Sequence, residues 1–244
     1  MMKRTARAVL FVFLATACAP FSSVIIDYVD FIRWDGTEYL TRFPTVGREL
    51  TESDLGPELF RVRQTLSQTR QHDASYEPAD GDAAFVAVGE PVYAVRGYAS
   101  WFRVASHHSG RLVLYEANRS TAAKLGRDIF DIEGKVTALA LVDQRDGKTV
   151  IARITEPSRV QALVRLVLDA VVGGVIPPSP AVPGGRRPPP DFALIAFELM
   201  DGTASVRSYD LTSSFVTPNL AIGVTFRDAI AAMRASVPMP SPTP

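Results

Sequence analysis

The chain has 244 residues, with 26 Lys and Arg against 26 Asp and Glu and a formal net charge of zero. That balance excludes the strongly basic footprint of a nucleic-acid binder, and a single cysteine excludes an intrachain disulfide. The apolar fraction, 47%, is that of an ordinary globular protein, and the length allows one generous domain or two small ones.

Lys3, Arg4 and Arg7 precede an apolar run, Ala8–Leu14, which ends in Ala15-Thr-Ala17 and then Cys18, the only cysteine. A basic start, an apolar stretch of about ten residues and small residues at a cleavage point are the three parts of a secretory signal. A cysteine just after the cut resembles the lipobox of bacterial lipoproteins. The family pattern puts Leu three residues before the cysteine; here Ala15 holds that place and Leu14 precedes it, while Thr16 and Ala17 fit. The resemblance implies that the Cys18 thiol is diacylglycerated, that a peptidase cuts before it, and that the new N-terminus is acylated. The mature protein is then an anchored envelope protein facing outside the cytoplasm, with the membrane as its partner through Cys18 and no nucleic-acid partner. Two other readings compete: an ordinary cleaved signal with an incidental cysteine, and an uncleaved span, for which the run is short of the ~20 apolar residues required. Loss of residues 1–17 leaves 23 basic and 26 acidic residues, a net charge of about −3, and no Lys/Arg cluster adjoins the anchor to hold anionic lipid.

Val24–Arg33 reads as a strand, rich in β-branched and aromatic residues, so the folded body begins close to the anchor. Asp27 and Asp30 in it read as a solvated strand face. Asp35-Gly36 predicts a hairpin, because a type I′ turn needs φ > 0 at both central positions. Leu59–Leu66 alternates weakly, and residues 67–82 read as a loop with Pro78 and Asp80-Gly81. Between 83 and 118 lie a run at Phe85–Val88, a break at Gly89-Glu-Pro91, and a second run at Val92–Val95. Trp101–Ala105 and Arg111–Tyr115 flank Ser106–Gly110, which reads as a longer hairpin loop. Residues 119–132 read as a connector with little regular structure.

Val136–Val142 and Thr149–Ile154 read as strands about Asp146-Gly147. A helix follows, with Val160, Leu163, Val164, Val167, Leu168 and Val171 on one stripe, Pro157 in its first turn and Gly173-Gly174 as the stop. Val160–Val175 is broken by Arg165 and Asp169, so it does not read as a membrane span. Residues 174–190 hold seven prolines and read as a loop or semi-rigid polyproline segment, either a tolerated insertion or a partner-binding motif. Phe192–Leu199, Ser205–Asp210 and Asn219–Val224 read as strands, Thr225–Asp228 as a cap, and Phe226, Ile230 and Met233 as one face of a terminal helix. Pro238–Pro244 reads as a disordered tail.

The organisation expected is a signal peptide at 1–17, a β-rich domain at 18–120, an α+β domain at 121–236 and a disordered tail from 237 to 244. The fold class is α+β. A small antiparallel β-domain, with barrel-like closure as one option, is followed by an antiparallel sheet with two helices on one face. The order β-β-α-β-β-β-α, with two hairpin-then-helix units, hints at a repeat.

Chemistry is sparse. There is no Gly-x-Ser-x-Gly elbow and no phosphate-binding glycine motif. His72, His107 and His108 lack the spacing of metal ligands, and the four Asp-Gly pairs suit turns better than calcium loops. No catalytic residue, cofactor or metal is expected. Trp34, Tyr39, Tyr93, Tyr98 and Trp101 suit either a stacking platform for sugar or peptide or core and cross-strand packing. The ligand-surface candidates are therefore Trp34, Tyr93, Tyr98, Trp101, His107 and His108. The run Gly89–Tyr98 is similar to stretches in uncharacterised bacterial lipoproteins, a likeness that carries no activity. The expected function is a membrane-anchored lipoprotein that binds a ligand or an envelope protein. The alternative is an envelope hydrolase whose site is assembled from distant residues.

Overall fold

The computed structural model describes residues 28–41, 46–174 and 191–237. Cys18, all but Gly174 of the proline-rich segment, and the tail beyond Val237 lie outside the described residues.

The chain is an α+β fold built on two sheets. The first contains β1 (Phe31–Trp34), β2 (Thr37–Thr41), β3 (Leu55–Arg61), β4 (Gln64–Thr65), β5 (Asp82–Ala83), β6 (Pro91–Val95), β7 (Arg103–His108) and β8 (Arg111–Ser120). Their order is β3-β6-β7-β8-β2-β1-β5-β4, antiparallel except for the parallel β4–β5 pair. Chain geometry makes this sheet curl. β3 and β4 stand at opposite ends of the order, yet only Val62 and Arg63 separate them in sequence, so the two edges must meet. Trp34 of β1 stacks on Phe60 of β3 with ring centroids 5.5 Å apart. The result is a curled half-barrel, with β3 and β4 left as unpaired edges short of a closed barrel.

The second sheet runs β10-β9-β11-β12-β13-β14, antiparallel throughout. Its strands are β9 (Val136–Val142), β10 (Val150–Ile154), β11 (Phe192–Leu199), β12 (Ala204–Asp210), β13 (Phe215–Val216) and β14 (Leu220–Ala221). Helices α2 (Pro157–Leu168) and α3 (Val224–Ala235) pack on one face, while a one-turn helix, α1 (Leu66–Thr69), follows β4. Strand alternation explains the two faces. Leu139, Leu141, Ile195 and Phe197 point to the helices, whereas Ala140, Val142 and Ala196 form a small cluster with Val46 on the other face. On that face Arg153 of β10 reaches Glu198 of β11 at 2.9 Å. It crosses β9 at Ala138 and Ala140, whose small side chains leave the path open.

The sheets divide between residues 120 and 136, but one hydrophobic core runs through both. Phe130 links them, with its ring 6.1 Å from Phe102 and 6.4 Å from Phe197.

Several expectations need correction. Ser106–Gly110 is not a loop: β7 runs to His108, and only Ser109 and Gly110 turn, both at positive φ. Ser106 is buried and donates its hydroxyl to the Pro91 carbonyl at 2.9 Å, so its polarity is absorbed within the sheet. Phe85–Val88 forms no strand, although Val86 is buried; its carbonyl accepts the Thr65 hydroxyl at 2.6 Å in place of a ladder partner. Residues 119–132 are not a bare connector. Arg119 and Ser120 extend β8, and Ile129, Phe130 and Ile132 enter the core. There Gly126 passes under α2 so closely that a Cβ would come within 1.9 Å of the Val167 carbonyl oxygen. Helix α2 stops at Leu168; Val171 and Val172 bridge instead to Leu125 and Leu220, and Val171 is exposed. The residue before α3 is Gly223, not a Thr225 cap, and only Leu220–Ala221 of the expected third strand pairs.

Candidate functional site

Two polar clusters and two open grooves are the places where this fold concentrates chemistry.

The first cluster is buried in the seam between the sheets. Arg103 and Glu116 face one another across β7 and β8. The Arg103 Nε and Nη2 donate to Glu116 Oε1 at 2.8 and 2.6 Å, and Nη1 donates to Thr203 Oγ1 at 2.8 Å. From β12, Ser205 donates its hydroxyl to Glu116 Oε2 at 2.7 Å, and Arg207 Nη2 lies 3.1 Å from the same oxygen. Arg103, Arg207 and Glu116 are all within 1% of complete burial. Aromatic rings cover the guanidinium groups: Arg103 lies 4.5 Å from the Tyr98 ring centroid, and Arg207 lies 4.5 Å from that of Phe130. Asp201 extends the network outward, accepting from Thr203 Oγ1 at 2.8 Å. Burial would raise its pKa, but hydrogen bonds from Thr203 and Tyr98 and the charge of Arg103 hold it below the usual carboxylate range. Burial pushes Tyr98 up to about 12. Charges this deep persist only when paired and hydrogen-bonded, and here the partners are internal.

The second cluster stands at one open end of the half-barrel. Asp30 just precedes β1, Tyr115 lies in β8, and His108 ends β7; sheet register brings the three together. The Tyr115 hydroxyl donates to the Asp30 carboxylate, 3.3 Å from each oxygen, and His108 Nδ1 is 3.3 Å from Oδ2. The Asp30 side chain is only 14% exposed and His108 27%. Burial raises the Asp30 pKa, offset in part by His108 and Tyr115; burial also pushes Tyr115 up. The Asp30 of a solvated strand face is thus corrected to a largely buried, paired carboxylate. His107 points to the opposite face of β7, with Nε2 2.8 Å from Glu52 and Nδ1 3.5 Å from Glu90. With a carboxylate at each ring nitrogen, the imidazole bridges two elements.

The grooves are modest. A cavity of about 50 Å³ lies beside the seam, lined by Val46, Leu50, Leu112, Leu114 and Val206 above Glu116. It has room for a water or two. A wider, shallow groove of about 440 Å³ lies between the β9–β10 turn and the end of α3, lined by Leu141, Gln144, Arg145, Ile151 and Arg234. Both of its arginines are paired, Arg145 to Asp143 at 2.5 Å and Arg234 to Asp191 at 2.6 Å.

The candidates named from sequence are dispersed. His107 and His108 share the barrel end. Tyr98 and Trp101 share the turn at its other end, where Tyr98 is half-buried and Trp101 exposed. Trp34 packs on Phe60, Tyr93 is half-buried in β6, and Tyr39 is core, with its hydroxyl donating to the Ser100 carbonyl at 3.0 Å. These aromatics form no common platform. Sequence reasoning missed Arg103, Glu116, Arg207 and Tyr115. The available signal was Arg103 and Arg207 lying inside segments that read as strands. Among the described residues, no group of three His, Cys, Asp or Glu side chains is placed to hold a metal ion. No helix among them is long and apolar enough to cross a membrane.

No protein-family model, curated protein or solved structure matches this chain.

Proposed function

We propose that this chain is a membrane-anchored lipoprotein of a bacterial cell envelope, whose body binds a ligand or an envelope protein and is not itself an enzyme. The observation that carries the reading is the N-terminal pattern: Lys3, Arg4 and Arg7, an apolar run too short to span, and the lone Cys18 behind small residues. Acylation consumes a thiol that an exported protein would otherwise expose to intermolecular pairing. The first strand begins at Phe31, thirteen residues after Cys18, so an anchor there holds the body near the bilayer. The internally paired seam supports a structural role for the deepest charges. Cys18→Ala should release the protein from the membrane fraction or leave it as unprocessed precursor. Unchanged membrane association and unchanged processing would overturn the reading.

A second reading, an envelope hydrolase, draws on one observation. His108 beside Asp30 has the orientation of an imidazole held by a carboxylate, as a general base requires. Ser106, two residues away on the same face, is already committed to the Pro91 carbonyl, so water is the nucleophile this reading has to use. Ester or cell-wall turnover that disappears in His108→Ala would install this reading in place of the first. Turnover unchanged in that variant would remove it.

A further inference from the structure

We propose that this chain forms a two-fold dimer in which β10 pairs antiparallel with β10 of a second copy, joining the two six-stranded sheets edge to edge. Such a dimer stands whether or not Cys18 carries lipid.

An edge strand offers a row of unpaired backbone donors and acceptors. Folded proteins blunt such edges with proline, bulges, short strands or a covering element. Of the four edges of the two sheets, three are blunted in these ways. β3 contains Pro57 and two register shifts against β6. β4 is two residues long and runs into α1. β14 is also two residues long, and Val172 bridges to it at Leu220. β10 has five residues, no proline, and no strand partner beyond β9 among the described residues. One register shift, at Ile151, bends it; Ala152, Arg153 and Ile154 then pair with β9 in regular order. The edge is open as well. Ile151 is 37% exposed, and the shallow groove beside it, bounded by Arg234 and Val237 at the end of α3, leaves that stretch uncovered.

The strand's own bounds set the register. Full overlap of Val150–Ile154 with a second copy running the other way puts the two-fold axis at Ala152. Val150 then faces the second copy's Ile154, a pair of β-branched side chains suited to cross-strand contact. Ile151 faces the second copy's Arg153, whose aliphatic stem covers it.

The charges flanking the strand complement one another in this same register. Lys148 and Glu156 lie at equal distances in sequence on either side of Ala152. Each therefore meets its opposite in the second copy, once at either end of the paired edge. Both are exposed, and neither has an ion-pair partner among the described residues; the Glu156 carboxylate accepts from the Ser158 hydroxyl. The backbone at Glu156 is still extended, so the strand direction holds to that point. A shift of the register by one residue would misplace both pairs. A two-fold contact uses each β10 edge once, so assembly stops at the dimer.

The test uses the full chain, held in mild detergent where it is lipidated. Light scattering coupled to gel filtration should give twice the monomer mass, falling to the monomer on dilution. Lys148→Glu brings like charges together at both ends of the edge and should weaken the dimer at least about tenfold. Glu156→Lys should do the same, and the double variant Lys148→Glu/Glu156→Lys should recover the original affinity. Both sites are exposed, so the variants should keep the parent's circular dichroism. A measurement on the unaltered chain needs no variant to fold: backbone amides of Val150–Ile154 should exchange more slowly in the dimer than in the diluted monomer. A monomer at every concentration up to about 1 mM, a dimer with no slowing of exchange at β10, or a folded double variant as weak as the single ones would overturn the proposal.

Discussion

The seam and the barrel mouth each place a carboxylate against cationic or titratable partners on neighbouring strands, and they differ in access to water. Glu116 is closed off between two sheets and engages Arg103, Ser205 and Arg207 at once. Asp30 keeps a small open side and faces His108 and Tyr115. Both carboxylates must have partners, because an isolated buried ion is prohibitively costly. At the seam the partners are guanidinium groups from both sheets, and the network ties the sheets together. At the mouth the partners are an imidazole and a phenol, which join the start of β1 to β7 and β8 through a contact that water reaches from one side.

The comparison can be broken most sharply at Glu116. Glu116→Ala leaves two guanidinium groups facing each other without their carboxylate, and loss of one partner of a buried pair costs about 3–5 kcal/mol. The denaturation midpoint in urea should fall accordingly, to the point of preventing folding. A loss below about 1 kcal/mol, the range of exposed pairs, would mean that the seam is solvated.

A smaller effect, and a signed one, is expected at Asp30. Its folded-state pKa is raised above 3.8 by burial, so between that value and its folded pKa the native state binds the extra proton. The contribution of this group to stability therefore grows as pH falls through that window and fades as pH rises through the folded pKa. Asp30→Asn should flatten this component when urea midpoints are compared at acidic and neutral pH. An identical pH profile in the variant would show that Asp30 is not desolvated.

The smallest change should come from His107→Ala. Its partners Glu52 and Glu90 are solvated, and exposed ion pairs contribute about 0–1 kcal/mol. A loss matching that of Glu116→Ala would erase the distinction between the two regions.

Local features of this fold were legible in the sequence. Asp35-Gly36 turns where two positive φ values are needed, and Val160, Leu163, Val164, Val167 and Leu168 bury the stripe their spacing predicts. The candidate sites were far less legible. Arg103 and Thr203 are 100 residues apart, and nothing local in either strand says that they meet. His107 and His108 looked like loop decoration because Ser-His-His-Ser-Gly is polar. Only strand register shows that β7 continues through them and sends one ring to Asp30 and the other toward Glu52 and Glu90.

By itself, then, the sequence determined the α+β class, the order of hairpins and helices, and the expectation of an anchor at Cys18. Each of these is written in short-range periodicity, turn chemistry or a contiguous motif. Tertiary structure alone decided that the first sheet curls on itself, that Gly126 lets α2 close over the chain, and that Glu116 and Asp30 are both buried against partners from neighbouring strands. Those outcomes depend on which strands become neighbours and in what register, and a one-residue shift would send each of these side chains to the other face of its sheet.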